Sequence, residues 1–251
     1  MDKKYSFIIA IIITGLIASS LFVLSSISKS SENRTLITVA RVIDGDTLVT
    51  AEGQTVRLLN INAPEKSSSL HLLSKNYLNS FVNKTLEMEI SGSDKYHRLL
   101  VRLYSSEYIN KNLVENGMAS KFLVSESELT SFSEAENKAI NEGRGIWSHS
   151  SYYGCFSTHI NKNEEFVVIE NLCPQINMNL WMLKDESRKT YIFRNITLQE
   201  SESLTLFTSE GKDKGKDVFW NSKTNIWNND RDTLYLFDKE GKIAHHETYG
   251  Y

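Results

Sequence analysis

The stretch Leu36-Ile37-Thr38-Val39-Ala40-Arg41-Val42-Ile43-Asp44-Gly45-Asp46-Thr47-Leu48-Val49-Thr50 decides the fold of the first half of this 251-residue chain. Ile, Val and Thr dominate Leu36–Val42, which predicts a strand. Asp44-Gly45-Asp46 is a turn signal, and Thr47–Thr50 returns as a second strand. Glu52-Gly53 turns again, and Thr55–Ile61 makes a third. Tight turns between short strands of this kind make a meander.

Further along, Leu70, Leu73, Tyr77, Phe81 and Val82 recur at helical spacing within Ser69–Val82. Leu86–Ile90 and Leu99–Tyr104 predict two more strands joined by the Ser91–Arg98 turn. Ile109–Asn116 reads as a short helix stopped at Gly117, a residue type suited to the left-handed position after a helix. Glu128–Glu142 reads as a second long helix with Leu129, Phe132, Ala135 and Ala139 on one face. Ser125 and Glu128 have the spacing of a capping box. Five strands with helices between and after them predict an α+β unit over 36–150, a small closed five-stranded β-barrel of the oligonucleotide-binding type.

Polar residues cluster where that barrel turns. Asp44 and Asp46 flank Gly45 at a strand end; Asp46 is placed to ligate a hard cation, and Asp44 to brace the loop. A plain β-turn is the alternative reading. In Asn62-Ala63-Pro64-Glu65, Pro64 fixes the backbone and keeps Asn62 and Glu65 near one another. Asn62 offers a side-chain carbonyl to a metal and Ala63 its main-chain carbonyl, while Glu65 is placed to take a proton from an attacking water. Arg57, Leu59 and Ile61 share one face of the third strand by alternation. An arginine on a mostly apolar face must find an anion or reach solvent. Arg98 opens the last barrel strand after Asp94-Lys95-Tyr96-His97. Fixed positive charge, a cation site and a carboxylate are what phosphodiester hydrolysis demands, because negative charge grows on the phosphoryl oxygens in the transition state.

Composition narrows the partners. The net charge is −3, and acidic residues outnumber basic ones in both 36–150 and 151–251. Nucleic-acid binders commonly carry a basic face, so affinity for a polyanion must come from a local cluster, and tight non-specific duplex binding is disfavoured. The two cysteines, Cys155 and Cys173, lack metal-ligand spacing, which argues against a zinc site. They read either as one disulfide in an oxidising compartment or as two small buried residues.

At the N-terminus, residues 1–6 carry Lys3 and Lys4, and 7–27 is almost entirely apolar. That length suits a transmembrane helix with the remainder outside the cytoplasm. Ala18-Ser19-Ser20 offers a signal-peptidase site as the rival reading. Apolar character resumes at Leu21-Phe22-Val23-Leu24, which favours a retained anchor. Residues 28–35 read as a serine-rich linker.

Beyond Phe156 the pattern changes. Phe166–Glu170, Met178–Leu183, Tyr191–Phe193, Leu204–Phe207, Asp217–Trp220 and Thr233–Asp238 are short strand-like runs at regular spacing, which predicts an all-β sandwich over 156–251. Asp230 and Asp232 read as hairpin-turn residues rather than ion ligands. His245-His246 reads as a solvated strand end, and Lys212, Lys214 and Lys216 as a surface loop.

Two resemblances follow from these residues. Asp44-Gly45-Asp46-Thr47, Arg57 to Glu65, Asp94-Lys95-Tyr96-x-Arg98, Gly117-Met118-Ala119 and Gly145-Ile146-Trp147-Ser148 together resemble the staphylococcal (thermo)nuclease family. The resemblance implies a five-stranded oligonucleotide-binding barrel with three helices that cleaves DNA and RNA using Ca²⁺. On it, Asp46 would bind calcium with Asn62 and Ala63, Glu65 would be the general base, and Arg57 and Arg98 would hold the phosphate. Three departures stand out. Asn62 occupies a position where the family has aspartate, Ala63 one where it has threonine, and His97 one where it has glycine. Asn62 keeps an oxygen but drops a negative charge beside a divalent cation, which lowers calcium affinity. The family's aromatic base-stacking positions have no clear counterpart after Gly117; Phe122 is a candidate.

In the second region, Glu165–Asn171, Leu180-Trp181-Met182-Leu183 and Trp227–Asp238 resemble the lamin-tail domain. That resemblance implies an immunoglobulin-like sandwich that binds or anchors through an unknown ligand. The leading expectation is a membrane-anchored or secreted, extracytoplasmic, calcium-dependent endonuclease with DNA or RNA as substrate and an accessory binding domain. The alternative is a non-catalytic nucleic-acid or cell-surface binding protein on a degenerate nuclease barrel.

Overall fold

The computed structural model describes residues 34–66, 68 and 70–251. The expected anchor at 7–27 and its tip at 1–6 lie outside the described residues, as does most of the linker at 28–35. Among the described residues no helix is long and apolar enough to cross a membrane.

The first globular part runs β1 (Arg34–Val42), β2 (Thr47–Thr50), β3 (Thr55–Leu58), β4 (Ile61–Asn62), α1 (His71–Asn79), β5 (Thr85–Ser93), β6 (Leu99–Tyr104), α2 (Ile109–Glu115), β7 (Ser120–Lys121) and α3 (Leu129–Asn141). Strands β1, β2, β3, β6 and β5 close into the expected five-stranded barrel, with β3 and β6 parallel. Its interior is filled by Val39, Leu48, Val56, Leu58, Met88, Val101 and Leu103, all buried. Their inward alternation is what fixes strand register.

The third strand is shorter than its sequence implies. Asn60 takes a left-handed backbone (φ 64°) and ends it, so the alternation expected across Arg57, Leu59 and Ile61 breaks. Ile61 and Asn62 instead pair with Lys121 and Ser120 in a separate short ladder. This break turns the Asn62–Glu65 segment across the barrel end. The Asp44-Gly45-Asp46 turn packs tightly below it: a Cβ on Gly45 would meet the Ser74 hydroxyl at 2.0 Å and the Ala63 Cβ at 2.6 Å. The Gly117 and Gly145 motifs also touch, with the Ile146 N–H donating to the Gly117 carbonyl at 2.8 Å. Gly117 has φ 62° and a Cβ there would collide with the Arg144 carbonyl, which accounts for the residue type.

The capping box does not form. Glu128 accepts from Asn60 (2.8 Å), Arg102 (2.6 Å) and Tyr108 (2.9 Å), so it ties the second half of the barrel together rather than reaching a helix N-terminus. A short 3₁₀ turn at Glu126–Glu128 precedes α3.

The second part is β8 (Phe156–Asn161), β9 (Phe166–Asn171), β10 (Ile176–Asn177), β11 (Met182–Lys184), β12 (Thr190–Ile192), β13 (Thr197–Leu198), β14 (Ser203–Phe207), β15 (Asp217–Phe219), β16 (Asp232–Phe237) and β17 (Ile243–Tyr249). Two four-stranded sheets, ordered β12-β11-β16-β17 and β15-β14-β9-β8, carry a sandwich core that includes Trp181, Phe193, Leu206 and Trp227. Cys155 and Cys173 form a disulfide, with their Cα atoms 5.2 Å apart. Asp232 departs from the hairpin-turn role expected of it: it is fully buried at the start of β16, paired with Tyr249, and accepts from the main-chain N–H of Asn228, Glu186 and Thr233. His245 departs from expectation: it lies partly buried on β17, with Nε2 2.9 Å from the Thr158 hydroxyl.

The two parts share a small core. Ala139, Ile140 and Trp147 of the first pack on Tyr235 and Ile243 of the second, with Trp147 stacked on Tyr235 at 5.0 Å between ring centroids. Beside them Lys121 is buried (1% exposed) between Glu136 at 3.2 Å and Glu186 at 2.9 Å. Burial alone would discharge this lysine, but Glu136, Tyr235 and Glu186 outweigh it and hold the ammonium charged, its pKa raised.

Candidate active site

Register explains why the polar residues meet. Thr47 pairs with Arg57 across β2 and β3, so Arg57 emerges beside Asp46 at the start of β2. Leu99 pairs with Val56 across β3 and β6, so Arg98, just before β6, reaches the same barrel end. Asp46, Arg57, Asn62, Ala63, Glu65 and Arg98 all line one open cleft of about 560 Å³.

Asp46 sits at the bottom of this cleft, 8% exposed. Its Oδ2 lies 3.0 Å from Arg57 Nη2 and accepts the Ala63 N–H at 3.0 Å; its Oδ1 accepts the Thr47 hydroxyl at 3.0 Å. Asp44 accepts the Asp46 N–H at 3.2 Å, the bracing role expected of it. Burial raises the Asp46 pKa, opposed by Arg57 and the Ala63 N–H. Burial lowers the Arg57 pKa, opposed by Asp46 and reinforced by Arg98 and Arg188. The guanidinium remains a cation throughout, and along the cleft Arg57, Lys66 and Arg98 face the carboxylates of Asp44, Asp46 and Glu65.

Arg57 Nη2 also lies 3.3 Å from Asn62 Oδ1, and Nη1 donates to the Leu58 carbonyl at 2.8 Å. Arg98 is gripped by Asp94, with Nε at 2.7 Å and Nη2 at 2.6 Å from Oδ2. His97, preceding it, has φ 63°. That left-handed backbone is the physical reason a glycine suits this position, and a histidine there is strained.

Among the described residues, no group of three or more His, Cys, Asp or Glu side chains could hold a metal. The cleft offers the Asp46 carboxylate, the Asn62 amide oxygen and the Ala63 main-chain carbonyl, besides the carboxylates of Asp44 and Glu65, all hard oxygens. Arg57 Nη2 touches the Asp46 and Asn62 oxygens together, so these two converge on one point. Hard oxygen ligands fit Ca²⁺ or Mg²⁺ rather than a softer ion. Asp46 and Asn62, with the Ala63 carbonyl, are the residues that could hold it.

Glu65 stands apart from this buried group, its side chain 76% exposed. Its partner comes from the sandwich: Arg188 Nη1 lies 3.2 Å from Glu65 Oε1, and Arg188 Nη2 3.3 Å from the Ala63 carbonyl. Sequence reasoning had no means of finding Arg188, a single arginine in the polar turn Asp185-Glu186-Ser187-Arg188-Lys189. Phe122 is partly buried and does not line the cleft.

Comparison with known proteins bears on this geometry. The profile described as staphylococcal nuclease homologue matches residues 55–149, and that of the lamin tail domain matches 155–251. A protein of Haemophilus influenzae named "uncharacterized endonuclease" is 31% identical over 142 residues, spanning 54% of this chain and 79% of the relative. The chain belongs to the staphylococcal nuclease homologues. A relative from Escherichia coli bearing the same name is 31% identical over 116 residues, 44% of this chain and 75% of that protein. The order expected from sequence, a nuclease-type barrel followed by a lamin tail domain, therefore stands. The profile begins at β3, yet β1 and β2 close the barrel and the turn between them carries Asp46, so the nuclease fold includes residues ahead of the matched segment.

Proposed function

We propose that this protein is an extracytoplasmic, calcium-dependent endonuclease that hydrolyses phosphodiester bonds of DNA or RNA in thermonuclease fashion, with the lamin tail domain as an accessory module. The observation that carries the reading is the meeting of Arg57 and Arg98, 41 positions apart, with Asp46 and Glu65 around one cleft. A guanidinium fork matches two phosphoryl oxygens. As the pentacoordinate transition state forms, charge on those oxygens grows and two fixed cations gain in interaction.

Arg57 and Arg98 bind the phosphoryl group; Glu65 accepts a proton from the water that attacks phosphorus in line. Asp94 keeps Arg98 extended toward the cleft. Asp46, Asn62 and the Ala63 carbonyl would hold a divalent cation, which would supply further positive charge at the phosphoryl oxygens. The open cleft suits a single strand, whose backbone bends into it more readily than that of a duplex.

The disulfide between Cys155 and Cys173 supports an oxidising compartment. The apolar run at 7–27 after Lys3 and Lys4 supports membrane anchoring with the domains outside. The second reading is a nucleic-acid binding protein without catalysis, favoured by asparagine rather than aspartate at position 62. Incubating the purified protein with single-stranded DNA and RNA, with Ca²⁺ or with chelator, separates the two. Cleavage lost on chelation supports the nuclease; retention of the strand without cleavage supports the alternative.

A further inference from the structure

Arg188 belongs to the lamin tail domain, yet its guanidinium bridges two groups of the nuclease cleft, the Ala63 carbonyl and the Glu65 carboxylate. Among the described residues it is the only hydrogen-bond partner of that carboxylate. Glu65 and Pro64 form the wall between the cleft and a groove of about 450 Å³ between the domains, which Arg188 also lines.

The turn that carries Arg188 is built rather than loose. Arg188 has φ 74°, an uncommon conformation for a non-glycine residue. The Asp185 carbonyl accepts its N–H at 3.1 Å, and the Asp185 carboxylate accepts the Lys189 N–H at 2.6 Å. Two residues before Arg188, Glu186 pairs with the buried Lys121. Lys121 and Ser120 are the ladder partners of Ile61 and Asn62. A continuous path thus runs from Asn62 through the ladder to Lys121, through the ion pair to Glu186, and along the turn to Arg188, which closes back on Ala63 and Glu65.

We propose that Arg188 is a positioning residue for Glu65, so that the lamin tail domain completes the nuclease site. The inference rests on the assignment of Glu65 as proton acceptor. An exposed glutamate samples several rotamers, and only some face the cleft. The fork of Arg188 fixes both ends of the Ala63–Glu65 segment at once. It leaves Glu65 Oε2 free to take a proton, and a carbonyl oxygen such as that of Ala63 has a second lone pair. Geometry held this way raises the rate without changing how tightly the strand binds.

The test uses the full chain with a single-stranded DNA substrate and Ca²⁺, comparing wild type, Glu65→Gln, Arg188→Ala, Arg188→Lys and the double variant Glu65→Gln/Arg188→Ala. Calcium affinity is read separately by calorimetry, and folding by near-ultraviolet circular dichroism. Arg188→Ala is expected to lower kcat about tenfold, with KM and calcium affinity within about twofold of wild type. Arg188→Lys, which has one donor group in place of a fork, should recover part of the loss. In the Glu65→Gln background the Arg188 change should have no further effect. Unchanged or increased kcat in Arg188→Ala overturns the inference, as does a rise in KM alone or an equal loss in the Glu65→Gln background. Wild-type protein that does not cleave, or Glu65→Gln as active as wild type, instead defeats the assignment of the site itself.

Discussion

Lys121 Nζ lies 2.9 Å from Glu186 Oε2, and this pair joins the barrel to the sandwich at a point sealed from solvent on the lysine side. The barrel contributes Lys121 and Glu136 and the sandwich Glu186, Thr233 and Tyr235, whose hydroxyl donates to Glu136 at 2.7 Å. A buried charge that loses its partner is far more costly than an exposed one. Glu136→Leu should therefore destabilise the protein by about 3–5 kcal/mol, measured by urea unfolding. Because the network spans both domains, fluorescence and far-ultraviolet circular dichroism should report one common transition in wild type.

Arg57 holds the buried Asp46 carboxylate and faces the same cleft as Arg98. Arg57→Ala should reduce kcat/KM by about 10²–10³-fold, the loss typical of one preorganised donor at a developing anion. Arg57→Lys should recover little, since a point charge cannot touch Asp46, Asn62 and substrate together. Steady-state kinetics on a short labelled strand decide this.

Asn62→Asp restores a full negative charge 3.3 Å from Arg57 Nη2, beside Asp46. Calcium affinity should rise by roughly tenfold, about 1.4 kcal/mol, read by titration calorimetry. An unchanged affinity would place the cation elsewhere.

His245 gives stability a pH dependence. Burial, with a smaller contribution from neighbouring His246, lowers its pKa from 6.5 to about 4. The folded protein thus holds His245 neutral down to about pH 4, while the unfolded chain protonates it as pH falls through 6.5. The favourable contribution is present above pH 6.5 and is lost as pH falls toward 4, by at most about 3 kcal/mol. Thermal unfolding from pH 8 to 4 should show wild type losing more stability than His245→Gln.

The barrel was legible because its signals are local. β-branched runs, Asp-Gly turns and a glycine after α2 each act within a few residues, and the polar positions follow from strand register. What escaped reading depends on distant partners. The serine-to-glutamate spacing at 125 and 128 has the form of a cap, yet Arg102 and Asn60 claim the glutamate through the tertiary fold. His245 looked solvated because polar His246, Glu247 and Thr248 follow it, whereas packing across to Thr158 covers it. Arg188 meets Glu65 across a sequence separation of 123, with no periodicity or motif to announce the contact. Cys155 and Cys173 left pairing open in sequence, and the fold brings them together.

The disulfide closes a loop of 18 residues at the base of the sandwich. Its reduction should cost about 3 kcal/mol on the chain-entropy model, seen as a lower Tm in the presence of dithiothreitol. Cys155→Ala/Cys173→Ala should reproduce that shift and be insensitive to reductant.

The most direct test of the central claim is single-turnover cleavage of a 5′-labelled DNA strand by wild type and by Glu65→Gln, each with Ca²⁺ and with chelator. Cleavage by wild type with Ca²⁺ alone, and a loss of at least about 10²-fold in Glu65→Gln, is the predicted result. Equal rates in the two proteins, or cleavage indifferent to chelator, would contradict it.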